Sequence, residues 1–212
     1  MRINPFWDVL QFLLEAKWTT IVFWALLVAS VAIAAVAFRR DPGQRTPGQL
    51  WMFGARLTIG AMWWQQSLWK LPPTYTDQAD GSGGLRYWVG EMASHAAFGL
   101  QRDFAREVVL KNFGLFAPQV YFGELAIAIS LMLGLFTRLG AAMGALMAVN
   151  LWLGLYRAPY EWPWTYFFLV VINLTFAFFR AGRSLGLDAL LGGGSAPVAG
   201  AGLVQRLRWL AS

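Results

Sequence analysis

Cysteine is absent from this chain, and histidine occurs once, at His95. The first absence excludes disulfide exchange, iron–sulfur ligation and thiolate zinc sites. The second excludes a metal centre built from two imidazoles of one chain. Charge is scarce too: Asp, Glu, Lys and Arg make up 13% of the residues, where a soluble domain carries about a quarter. No Walker, Rossmann or HExxH pattern appears. What fills the space is apolar. The 212 residues are 58% hydrophobic, with 12 Trp and 16 Phe. That composition predicts an all-α integral membrane protein. The net charge of +6 sits beside apolar runs, the pattern of cytoplasmic flanks rather than of a nucleic-acid binder.

Taken in order, residues 1–17 contain an amphipathic segment, with Phe6, Leu10, Leu13 and Leu14 on one helical face and Asp8, Gln11 and Glu15 on the other. It suits a helix lying in the membrane interface. The first long apolar run starts only after this mixed segment, so no cleavable signal peptide is expected. Residues 18–38 form a first span, closed by Arg39 and Arg40, and residues 50–71 a second, ended by Pro72–Pro73. A polar loop with Asp77 and Asp80 opens the region 72–118, which holds two further amphipathic helices on the membrane surface or over the bundle mouth. A third span is expected at 119–138, a fourth at 139–157 and a fifth at 162–180. Gly140, Gly144 and Ala148 form a small-residue face suited to a tight helix crossing. The tail, 181–212, carries a glycine-rich linker and a basic amphipathic end.

Lys and Arg set the orientation. Arg39, Arg40, Arg45, Arg138, Arg180, Arg183, Arg206 and Arg208 fall on one side, which the positive-inside rule makes cytoplasmic. The expected protein is a multi-pass protein of the inner or plasma membrane, with its N-terminus outside and C-terminus in the cytoplasm. On that topology Lys70 ends an outgoing helix and Glu124 lies about a turn into an incoming one, both near the outer surface. A carboxylate inside a span needs a partner or a purpose. Arg56 and Arg138 fall toward the inner surface, where their stems can snorkel to lipid phosphates. Asn150 and Asn173 fall near mid-depth and are placed to meet across the bundle.

Two readings of the outer half stand side by side. In one, Trp63, Trp64, Gln66 and Trp69 wall a pocket on which Lys70 and Glu124 converge. Flat apolar walls, a donor for a carbonyl and a carboxylate able to pass protons are what a quinone headgroup needs. In the other, Lys70–Glu124 is a structural pair and the tryptophans are an interfacial belt. A lone His without neighbouring ligands argues against haem or metal at His95, and no metal is expected.

Four segments, ARLTIGAMWWQQSLWKLPP (55–73), FGELAIAISLMLGLFTRLGA (122–141), EWPW (161–164) and FRAGRSLGLDALL (179–191), resemble in content and order the DoxX-like membrane proteins, especially the DoxD branch. The run from Glu124 to Arg138, followed by Gly182-Arg183-Ser184-Leu185 and Asp188, carries most of the likeness. The resemblance covers about residues 50–191. It implies a four-helix transmembrane bundle made by spans two to five, with the first span and the surface helices added to it. It also implies a membrane subunit of a thiosulfate:quinone oxidoreductase. Such a subunit oxidises thiosulfate to tetrathionate at the outer face, passes the electrons to quinone, and works with a DoxA-like companion. A non-catalytic accessory subunit of a larger respiratory or photosynthetic complex is the alternative expectation.

Overall fold

The computed structural model describes residues 4–15, 17–75, 83–191, 202 and 211. Asp77, Asp80, Arg206, Arg208 and residues 192–201 of the linker lie outside them. Every regular element among the described residues is helical. They are α1 (Pro5–Leu14), α2 (Trp18–Arg40), α3 (Pro47–Ser67), α4 (Gly84–His95), α5 (Gly99–Asp103), α6 (Phe113–Leu133), α7 (Thr137–Gly154), α8 (Pro163–Phe178) and α9 (Leu187–Leu190). A 3₁₀ turn, Leu68–Lys70, extends α3, and a π turn, Phe104–Val109, follows α5.

The helix boundaries follow from local chemistry. Proline opens α1, α3 and α8, where its missing N–H costs nothing and its fixed φ suits the first turn. Asn4 accepts a hydrogen bond from Trp7 N at 2.8 Å, and the Thr46 hydroxyl accepts from Gln49 N at 3.3 Å, each capping a helix. Gly134, at φ +67°, stops α6 in the left-handed conformation that glycine adopts freely.

Among the described residues, two helices are long and apolar enough to cross a membrane, α2 and α6; α8 is apolar but shorter. At 1.5 Å per residue they measure roughly 34, 31 and 24 Å respectively. The polar residues of α3 and α7 explain why those helices fall short in apolarity. Arg56, Gln65 and Gln66 belong to α3, and Asn150 to α7.

α3 packs along α6, α6 along α7, and α7 along α8, while α2 lies against α6. Trp63, Trp64, Ile127, Ala128, Leu131, Met132, Phe176 and Ala177 form the shared core. The small-residue face of α7 meets two neighbours. Gly140 lies against Ser130 of α6, and a Cβ at Gly144 would stand 3.0 Å from Asn173 Cγ on α8 and 3.3 Å from Ile127 Cγ2. α4, α5 and the π turn cover one end, burying Leu85, Val89, Ala93, Ala105 and Ala117 together.

The opposite end is a polar junction. Arg56 is fully buried, and its guanidinium donates to the carbonyls of Leu131, Met132 and Ser184. Ser30 Oγ donates to the Met132 carbonyl at 2.6 Å, so the last carbonyls of α6 are satisfied from α2 and α3. Asp188 does the converse for α7, accepting from Phe136 N and Thr137 N at 2.9 Å each. Burial pushes the Asp188 carboxyl above its usual range, against the pull of those backbone N–H groups. Leu185 N donates to Gln44 Oε1 at 2.9 Å, which ties the turn after α2 into the same junction.

Three expectations change. The helix of the expected third span, α6, begins at Phe113 and ends at Leu133, earlier at both ends than residues 119–138. Gly134 breaks the run there, and Arg138 starts α7 instead of closing α6. Arg56 does not snorkel outward: it turns inward because orphaned carbonyls at the end of α6 offer it better partners than lipid.

Candidate functional site

Beneath α4 and the π turn, the bundle opens into a cleft of about 1200 Å³. Its lining comes from α3, α4, α6, α7 and α8 and from the segment that precedes α8. Trp69 and Trp88 stand 6.4 Å apart centre to centre, Tyr87 meets Trp88 edge-on at 5.4 Å, and Trp162 meets Phe168 at 6.3 Å. Flat apolar rings thus face the cleft from the α3, α4 and α8 sides.

Its ion pair is Lys70 with Glu124. Lys70 is 4% exposed and Glu124 2%, which places both outside bulk water. The Lys70 ammonium donates to both carboxylate oxygens and sits 4.3 Å from the centre of the Trp69 ring, so carboxylate and ring face share the cation. The Leu68–Lys70 turn at the end of α3 carries the lysine that reaches Glu124.

Glu124 lies midway along α6, about 14 Å from its Leu133 end, and not a turn from its start. The difference arises because α6 begins before the apolar run does: Phe113 packs with the covering helices, and Phe116 meets Phe104 of the π turn. The carboxylate is accordingly deeper than its sequence position suggested.

Trp63, Gln66 and Trp69 line the cleft, with Trp69 Nε1 donating to Gln66 Oε1 at 3.1 Å. Trp64 does not line it; one residue further round α3, it packs into the core. Trp63 Nε1 is a buried donor without a partner, an open polar valence beside the site. Asn150 and Asn173 do not meet. Gln101 Nε2 donates to the Asn150 side chain at 3.3 Å and to its carbonyl at 3.2 Å, whereas Asn173 Nδ2 donates to the Leu169 carbonyl at 2.8 Å and its Oδ1 faces Gly144. Asn150 lines the cleft, and Asn173 fills the α7–α8 crossing.

Arg138, Arg183 and Asp188 all lie at the other end. Burial lowers the Arg183 guanidinium, and the neighbouring Arg180 adds to the effect, which marks a crowded basic cluster there. His95 Nδ1 lies 3.2 Å from Glu91 Oε2, one turn back on α4. Among the described residues, no group of three His, Asp or Glu side chains comes together to hold a metal ion.

Glu161 and Tyr166 also line the cleft, and the Tyr166 hydroxyl donates to Glu161 Oε2 at 2.8 Å. Neither was a candidate from sequence, although Glu161 opens the EWPW segment. A carboxylate placed directly before a proline-started helix is the signal that could have found it. Comparisons with family models, with curated proteins and with solved structures give no match for this chain.

Proposed function

We propose that this chain is a membrane subunit of a quinone-linked oxidoreductase, of the DoxD kind, and that a quinone is reduced in the aromatic cleft. The observation that carries the proposal is the buried Lys70–Glu124 pair at an aromatic-walled cleft. A quinone is flat and largely apolar, and the aromatic rings in the lining, Trp88 and Trp162 among them, give it apolar walls. Its carbonyl oxygen accepts from an ammonium, and its reduction takes up two electrons and two protons. Lys70 is the donor to that oxygen, and Glu124 is the group that passes a proton through Lys70. With thiosulfate as donor, two molecules join through a new S–S bond and release the two electrons. A DoxA-like companion subunit completes the outer-face site.

In this reading α2, α3, α6, α7 and α8 cross the bilayer, with the N-terminus outside and the cleft in the outer half. The apolar lengths of α2 and α6 support it, as does the turning of the polar residues of α3 and α7 toward the cleft and the junction. So does the gathering of Arg138, Arg180 and Arg183 at the end away from the cleft.

The test is thiosulfate-dependent reduction of decylubiquinone by membranes that contain the protein and its companion subunits. Glu124→Gln should lower the rate roughly 100-fold, the scale of a lost proton-transfer group. The double variant Lys70→Met with Glu124→Leu keeps the site filled without buried charge and should be equally inactive. Absence of reduction by the wild type, together with no binding of decylubiquinone to the purified protein, would sink the idea.

A second reading, an accessory subunit of a larger membrane complex, is favoured by α2. Ile21, Val28 and Val31 on that helix are exposed, a face open to lipid or to another subunit. Mild detergent extraction and native mass measurement decide it, since a lone 23.6 kDa species speaks against it.

A further inference from the structure

The Lys70–Glu124 pair has a supply problem. Both side chains are buried, and the ammonium occupies both carboxylate oxygens, so the pair does not meet bulk water directly. Two protons must nevertheless arrive for every quinone reduced. Among the described residues the cleft has one other carboxylate in its lining, Glu161, and the surroundings of that residue differ. It lies in the segment before α8, between Tyr160, 94% exposed, and Trp162, 62% exposed, so this stretch of chain is at the surface. Glu161 itself is half-buried and turns toward the cleft, where it accepts from the Tyr166 hydroxyl. Among the described residues, the remaining titratable groups of the lining are Tyr87 from α4, Lys70 and Glu124.

We infer that Glu161, positioned by Tyr166, is the proton intake of the cleft: it takes protons from outer water and passes them across to the Lys70–Glu124 pair. The inference rests on the quinone reading. Per quinone, the outer-face donor gives two electrons and outer water gives two protons. Lys70 releases a proton to a quinone oxygen as that oxygen gains electron density, and the pair is reloaded through Glu161 before the second transfer. The polar side chains of Gln65, Gln66 and Asn150 line the same cleft, so the crossing is not through apolar walls alone. Tyr166 holds the carboxylate in place through its hydroxyl, and Glu161 is a relay, not a group that touches the quinone.

The obvious alternative is that the Glu161–Tyr166 hydrogen bond only staples the start of α8. Glu161→Gln separates the two roles, because the amide oxygen still accepts from Tyr166 while the side chain no longer exchanges a proton. In membranes whose wild-type protein reduces decylubiquinone with thiosulfate, Glu161→Gln should cut turnover roughly 10- to 100-fold with an unchanged KM for the quinone. Added azide or formate, small weak acids that enter clefts, should restore much of it. Tyr166→Phe should lower turnover less and leave it responsive to the same acids. Wild-type turnover in Glu161→Gln, or a loss that weak acids do not restore, would overturn the relay and leave the quinone site standing. Wild-type membranes that reduce no quinone would overturn both.

Discussion

Lys70 and Glu124 hold each other's charge where neither keeps a full hydration shell. Such a pair is poor evidence for stability in itself, because desolvating two ions offsets most of their attraction. Removing one partner is different, since it strands the other. Glu124→Gln should therefore destabilise the protein by about 3–5 kcal/mol, and Lys70→Met with Glu124→Leu by much less. Thermal unfolding in detergent compares the two, and equal losses would show that the charges are not coupled. Sequence alone brought these two residues together, because a lone carboxylate in an apolar helix calls for a cation at similar depth. It could not give the depth, which depended on where α6 begins.

At the scale of elements, the α7–α8 crossing depends on Gly144. A side chain there collides with Asn173 on one side and crowds Ile127 on the other. Gly144→Val should cost about 1–3 kcal/mol through overpacking, and pairing Gly144→Ala with Asn173→Ala should recover much of the smaller loss caused by Gly144→Ala alone. Unfolding midpoints of the three variants read this directly; an unaltered midpoint in Gly144→Val would mean that the helices separate at no cost. The small-residue face was visible in the sequence as Gly140, Gly144 and Ala148, and so were α2, α7 and α8 to within a few residues. The junction was not. Arg56 and Asp188 read as a snorkelling anchor and a tail residue, because their partners are backbone groups. A backbone carbonyl is present at every position and an N–H at every position but proline, so these partners leave no mark in a sequence. Glu161 and Tyr166 escaped for a related reason, since a local side-chain pair gains meaning only from the cleft beside it.

For the molecule as a whole, the two ends differ in kind: an aromatic cleft under covering helices at one, a basic and polar junction at the other. If the first faces outward and the second the cytoplasm, single cysteines introduced into this cysteine-free chain will report it. Ser94→Cys on α4 should react with a membrane-impermeant maleimide in intact cells, and Arg40→Cys at the end of α2 only after lysis. The reverse pattern would invert the topology. The junction also has a meaning in time. Arg56 leaves the ribosome long before Ser184, which is 128 residues further on, and chains are made at about 5–20 residues per second. For several seconds, then, a newly made arginine waits in a half-assembled bundle, and α7 waits for the carboxylate of Asp188 to cap it. The Leu187–Leu190 turn closes the junction from behind, so the earlier helices reach their finished arrangement only once these later residues have been delivered.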